Sequence, residues 1–187
     1  MIIKNNETAI KLNCEDVLPG EVGELVELLE RELLLSEKLG NPGVGLAAPQ
    51  IGIAKKIAIV RISTSHSSSI DFNLVNCEIA EKYDQFIFKD EGCLSFPGKL
   101  ENTLRYNEIV IKNNLSYPNN FVVAGLPAIV CQHELDHLNG ILIFDSMVKK
   151  PQIKLYPNDP CPCGKIDLNT KKIKKYKKCC SRFKVRG

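Results

Sequence analysis

A chain of 187 residues and 20.9 kDa has room for one domain with its own core and a small appendage. Charged residues make up 25% and apolar ones 44%, which excludes wholesale disorder and a fibrous repeat, and no apolar run approaches the roughly 20 residues of a membrane helix. The net charge of +3 is unevenly spread: residues 1–146 carry 12 Lys and Arg against 20 Asp and Glu, a balance of −8, whereas residues 147–187 carry 13 against 2, a balance of +11. Residues 1–7 have neither a long apolar core nor an Arg-rich pattern, so no secretory or transit signal is read there and a cytoplasmic chain is expected. In that compartment the 8 Cys are buried, catalytic or metal-bound rather than a disulfide framework.

In chain order, the first strong element is a helix predicted over residues 21–39. Val22, Leu25, Val26, Leu29 and Leu33 recur at i, i+3, i+4 and i+7 spacing, Glu24, Glu27, Glu30 and Arg31 fall elsewhere, and Gly40 stops it. Residues 41–52 read as a loop punctuated by Gly and Pro. Residues 56–62, Lys-Ile-Ala-Ile-Val-Arg-Ile, read as a buried strand, followed by a polar Ser/Thr loop up to Ser69. Residues 72–75, 86–88 and 109–112 read as further strands. Gly125-Leu126-Pro127 opens a second helix, with proline tolerated in the first turn, that runs through Leu138 to Asn139-Gly140. Strands in runs beside two helices predict an α+β domain rather than repeated β-α-β units.

The second helix contains His133-Glu134-Leu135-Asp136-His137. At about 100° per residue, positions i and i+4 fall about 40° apart, so both imidazoles share one face and can hold one divalent metal. Glu134 then sits beside the open side of that metal, where a general base belongs. A site of this type needs a third protein ligand and one open position. Downstream the search fails: Ile143 stands where a third His would be expected, no Glu follows Glu134, and Asp145 lies beyond the Gly140 break. Cys131 is about 200° round the helix from His133 and is read as a small core residue.

The third ligand is therefore sought upstream. Glu91-Gly92-Cys93-Leu94-Ser95 stands out, with Gly92 freeing the backbone and Cys93 offering a thiolate that a dication keeps deprotonated. Cys14 and Cys77 compete in principle and read more simply as small buried residues. A further string, Gly43-Val44-Gly45-Leu46-Ala47-Ala48-Pro49-Gln50, lets a ligand backbone lie close, and the Gln50 amide N–H can face a developing oxyanion. No Gly-Lys-Ser/Thr follows, so it is not a phosphate loop.

Together, Gly43 to Gln50, Glu91 to Ser95 and Gln132 to His137 resemble the three motifs of the peptide deformylase family, in order and rough separation, over about residues 3–146. The resemblance implies an α+β fold with antiparallel sheets around a central metal-bearing helix, and removal of the formyl group from the N-terminal formyl-methionine of nascent polypeptides. It implies a catalytic divalent metal, typically Fe(II) with Zn(II) or Ni(II) able to replace it, held by Cys93, His133 and His137. Glu134 would be the general acid and base, and the Gln50 amide and Leu94 backbone N–H the oxyanion donors. The Gly45 backbone would pair with the substrate strand, Val44 and Val130 would line the methionine pocket, and Arg105 would pair with Glu91 to place the Cys93 loop. Three departures stand out. Asn76-Cys77 replaces the usual Asn-Pro, Lys89 stands where an apolar pocket residue is common and so alters the expected pocket polarity, and no long C-terminal helix is read after Lys150.

The chain is accordingly read as a catalytic domain at 1–146, a linker at 147–157 and a basic tail at 158–187. Cys161, Cys163, Cys179 and Cys180 give four thiolates, the ligand set of a closed structural zinc site. With Asn158-Asp159-Pro160 and Lys175-Tyr176-Lys177-Lys178 they resemble the SEC-C motif, apart from a longer spacer between the cysteine pairs, and imply a small C-terminal zinc knuckle. The alternative for the tail is a disordered basic end. Its +11 charge makes the ribosome, through its RNA, or another polyanion the expected partner. Two other readings of the whole chain are a zinc peptidase, which the missing downstream ligand opposes, and an inactive binding module, which the intact catalytic positions oppose.

Overall fold

The computed structural model describes residues 1–63, 69–115 and 119–148, together with 158, 160, 167 and 170–175. The chain divides into two units, Met1–Val148 and Lys149–Gly187. Cys161, Cys163, Cys179 and Cys180 lie outside the described residues. Within the second unit, Pro160 pairs with Lys175 in an antiparallel bridge and Asp167 turns back on Lys172, its N–H donating to the Lys172 carbonyl at 2.8 Å.

Among its described residues the first unit holds three α-helices, α1 (Glu7–Ile10), α2 (Val22–Lys38) and α3 (Leu126–Leu138), and two antiparallel sheets. One sheet is β1 (Gly45–Ala47), β2 (Ile57–Ser63) and β3 (Ser69–Val75), with β2 in the middle. The other is β4 (Glu78–Gly92), β5 (Leu100–Lys112) and β6 (Asn120–Ala124), with β5 in the middle. Among the described residues no helix is long and apolar enough to cross a membrane.

The continuous apolar run in β2 follows from burial on both faces. Ala58, Val60 and Ile62 join a core with α3 and with Ile109, Ile111 and Val123 of the second sheet. Ile57 and Ile59 point the other way, to Leu29 and Leu33 of α2. Because successive strand side chains alternate, one short strand thus glues α2 to one side and α3 to the other. α3 is buried nearly all round, which is why it holds its place without an amphipathic stripe. It starts after Gly125 and stops at Gly140, both in the left-handed φ region, where glycine carries no Cβ penalty.

Several expectations change. The loop expected over residues 41–52 contains β1 and a 3₁₀ turn at Ala48–Ile51, and α1 and β6 had no signal strong enough to read. The strand expected at 86–88 is the visible part of the fifteen-residue β4, and that at 109–112 the end of β5. Most of β4 faces solvent on both sides, so its apolar alternation is lost although its hydrogen-bond ladder to β5 persists. A register shift between Phe88 and Glu91 inserts an extra residue, with Asp90 at φ 56. Lys89 is exposed while Phe88 and Asp90 on either side of it face the cavity described below, so the expected polar change in the pocket does not arise from Lys89. Asn76 takes the left-handed conformation at φ 51, and its side chain accepts from Val17 N–H at 2.8 Å and donates to the Val17 carbonyl at 3.0 Å.

Candidate active site

Three segments converge on a cavity of about 710 Å³: the β1 edge, the end of β4, and the face of α3 carrying His133 and Glu134. One ligand atom from each of Cys93, His133 and His137 lies within 4.8 Å of the others. Cys93 Sγ is 3.3 Å from His137 Nε2. The two imidazoles meet edge to face, with centroids 4.9 Å apart, as two residues one helical turn apart must when both turn inward. Cys14 and Cys131 are buried elsewhere, Cys131 in the core between the sheets with Cys77 packed against it. Asp145 accepts from Leu142 N–H at 2.9 Å and pairs with Lys11 at 2.7 Å, a structural role at the end of α3.

Glu91 is the organising group behind this cluster. Its Oε1 accepts from Arg105 Nη2 at 2.6 Å and faces His133 Nδ1 at 2.7 Å. Its Oε2 accepts from Arg105 Nε at 2.8 Å and Thr103 Oγ1 at 2.5 Å. Burial alone would push this carboxyl up, but the hydrogen bonds and charges of Arg105 and His133 prevail and hold it at about 2. With Nδ1 of His133 occupied, Nε2 is the nitrogen left to face Cys93. Arg105 also donates from Nη1 to Asp136 Oδ2 at 2.6 Å, tying β5 to α3. Gln132 reinforces the tie: it accepts from Tyr106 N–H at 3.0 Å and donates to the Tyr106 carbonyl at 2.7 Å.

The arrangement can hold a metal. Thiolate and two imidazoles are a donor set that suits a borderline-soft dication, and Glu134 Oε2, next in sequence to His133, is buried with no hydrogen-bond partner among the described residues. Burial pushes the Glu134 carboxyl up to about 7, with His133 pulling the other way. Its Oε1 rests on the backbone of Gly45, where an alanine Cβ would lie 2.4 Å from that oxygen. Gln50 is 1% exposed. Its Oε1 accepts from Ala47 N–H at 2.8 Å, and its Nε2 donates towards Cys93 Sγ at 3.6 Å and to Ser95 Oγ at 3.2 Å. Leu94 lies over Gly43, whose missing Cβ leaves room for it. Val130 is buried in the cavity wall, and Val44 is a half-exposed residue of its rim.

The structure thus brings together Gly45, Gln50, Glu91, Cys93, Leu94, Val130, His133 and Glu134 around one cavity, with Arg105 and His137 directly behind. Sequence reasoning missed Thr103, Asp136 and Gln132. The last two stand inside the helix motif, so their positions were visible, but nothing local announces which strand they reach.

The chain matches the family described as "Polypeptide deformylase" over residues 1–152. The peptide deformylase of Prochlorococcus marinus strain MIT 9312 is 34% identical over 155 residues, 82% of this chain and 76% of that protein. Peptide deformylase 2 of strain MIT 9313 is 35% identical over 138 residues, 73% of this chain and 68% of that protein. The crystal structure of a probable peptide deformylase from Synechococcus phage S-SSM7 is similar with a TM-score of 0.67 at 32% identity, covering 79% of this chain and 99% of that one. A class I type b peptide deformylase from Acinetobacter baumannii, crystallised with Met-Ala-Ser bound, gives 0.65 at 30% identity, covering 79% of this chain and 97% of that one.

Proposed function

The chain belongs to the polypeptide deformylase family, and from that premise we propose how its own residues carry out the reaction. The enzyme hydrolyses the formyl amide at the N-terminus of new formyl-methionyl polypeptides. A water oxygen bonds to the formyl carbon, the carbon–nitrogen bond breaks, and formate and a free amine leave. Catalysis is metal-dependent, and Cys93, His133 and His137 would hold the ion on α3, the central metal-bearing helix of the fold. Fe2+ is the first choice, and Zn2+ or Ni2+ suits the same thiolate and imidazole donors. When bound, such a dication supplies Lewis-acid chemistry, acidifying water toward a pKa of about 7 and polarising a carbonyl.

Glu134 takes the proton from the attacking water and delivers it to the departing amine. The Gln50 side-chain amide and the Leu94 backbone N–H donate to the oxyanion, and loss of one such donor costs about 10²–10³ in rate. The Gly45 backbone, on the free edge of β1, pairs with the substrate strand. Val44 and Val130 contact the methionine side chain, and Glu91 with Arg105 orients His133 and the Cys93 loop. The observation that carries this reading is the Cys93–His133–His137 cluster, with Cys93 and His133 lining an open cavity, His137 behind them and the bare Glu134 oxygen next to His133. The tripeptide bound by the Acinetobacter enzyme has the sequence expected of a product.

For the tail we propose a structural Zn2+ on Cys161, Cys163, Cys179 and Cys180, and a tether to the ribosome or another polyanion, in a cytoplasmic enzyme whose catalytic domain is followed by a linker and the basic tail at 158–187. Elemental analysis of anaerobically purified protein beside a formate-release assay tests both sites. Two metals per chain, one needed for turnover, are expected. Full-rate formate release from metal-free protein refutes the catalytic site, and one metal per fully active chain refutes the tail site. Ribosome co-sedimentation at low and high salt, with and without residues 151–187, tests the tether, and equal recovery refutes it.

A further inference from the structure

The segment leading out of the catalytic unit is built into the network that orients His133. Residues 146–148 lie antiparallel to residues 102–104 of β5. Leu104 N–H donates to the Ser146 carbonyl at 3.3 Å and Val148 N–H to the Asn102 carbonyl at 2.7 Å, with Thr103 opposite Met147. β6 pairs with β5 from Glu108 to Lys112 only, so residues 146–148 take over the same edge further along. That stretch of β5 carries Thr103 and Arg105, which supply three of the four contacts on Glu91. Thr103 has 0% exposure and its hydroxyl is spent on Glu91. From the other side, Ser146 Oγ reaches Asp136 Oδ2 at 3.4 Å, the same oxygen that takes Arg105 Nη1 at 2.6 Å.

We propose that residues 146–148 form a positioning strand for the metal site, acting through Thr103: by fixing the backbone at 102–104 they hold Thr103 and Arg105 on Glu91, and Glu91 holds the ring of His133. The inference rests on the reading of Cys93, His133 and His137 as metal ligands. A ligand imidazole is oriented and made more basic by the group on its other nitrogen, and loss of such support typically costs 10–100-fold in metal affinity or activity.

The test uses the full-length chain. Val148→Pro removes the N–H that donates to Asn102, Val148→Ala keeps it, and Thr103→Val removes only the hydroxyl. Each is loaded with Co2+ for its visible and sulfur-to-metal absorption bands, titrated with Zn2+ against a chelator of known affinity, and assayed for kcat and KM. Val148→Pro and Thr103→Val should bind Zn2+ about 10–100-fold more weakly, shift the Co2+ bands and lower kcat with KM nearly unchanged, whereas Val148→Ala should follow the wild type. If Val148→Pro does not fold, Thr103→Val decides. Wild-type Zn2+ affinity and Co2+ bands in Thr103→Val overturn the proposal, even where thermal stability falls. Failure of the wild-type chain itself to bind the metals or release formate is a different result and would overturn the ligand assignment.

Discussion

Gly45→Ala isolates the fit between the β1 edge and the proposed general base. An alanine Cβ at position 45 would stand 2.4 Å from Glu134 Oε1, 2.9 Å from its Cδ and 3.0 Å from its Cγ. Gly45 lies outside the positive-φ region, so the backbone accepts alanine and the cost is steric alone. Glu134 is 3% exposed and cannot swing into solvent, so the carboxylate must retreat by roughly 1 Å, a displacement that costs about 10²-fold in rate. That corresponds to about 2.7 kcal/mol of barrier. Alanine keeps the N–H and C=O that pair with substrate, so KM should stay near wild type and bound metal should be unchanged. Formate-release kinetics with a formyl-Met peptide read the effect. Against a Glu134→Ala background the clash disappears, and adding Gly45→Ala should cost almost nothing, which makes the coupling nearly equal to the single effect. A Gly45→Ala enzyme with kcat within about threefold of wild type would refute the reasoning.

Arg105→Met leaves Glu91 buried with its main cationic partner gone, and urea unfolding should show a loss of about 3–5 kcal/mol; a loss under 1 kcal/mol would contradict the buried pair at 2.6 Å. Gln132→Leu strands the N–H and C=O of Tyr106 and should cost about 2–4 kcal/mol in the same measurement. Asp145 is held below its ordinary carboxyl range, first by the hydrogen bond from Lys11 and then by Leu142 N–H. Its contribution is therefore present above that ordinary range and lost as pH falls through the lowered value. Asp145→Asn should be destabilised by about 0.5 kcal/mol at pH 7, small because the pair is solvent-screened, and the gap to wild type should begin to narrow in unfolding curves near pH 3.8 and close only below the lowered value.

Legibility in the sequence tracked where burial writes a period. α2 and β2 were readable because one apolar face, or two, is set against a core. The α3 motif was readable because two histidines at i and i+4 have few other reasons to coincide, and Cys93 stood out upstream, with the family resemblance, rather than spacing, naming it over Cys14 and Cys77. β4 was mostly unreadable because its stability comes from backbone pairing with β5 rather than from a buried side-chain row. The bulge at 88–91 was invisible for a related reason: one left-handed Asp90 shifts the strand register, and no local signal marks it. Thr103 and the strand at 146–148 carry no motif at all. Their role depends on a pairing between positions more than forty residues apart in sequence, which only the fold supplies.

Glu91 and Glu134 show why that non-local part carries so much of the chemistry. Both are buried carboxylates within one site, 4% and 3% exposed. Glu91 receives contacts on both oxygens, from two residues of β5 and one of α3, and so has no capacity left for a substrate proton. Glu134 keeps Oε2 without a partner and lays Oε1 against the one residue of β1 that has no side chain. Nothing in the residue type separates the two. One is fully engaged by donors that β5 brings to it, and the other, the proposed general base, keeps an unpartnered oxygen because β1 offers it only bare backbone. The proposed division of labour between two identical side chains therefore follows which strand each one meets: β5 brings donors to Glu91, and β1 brings none to Glu134 Oε2.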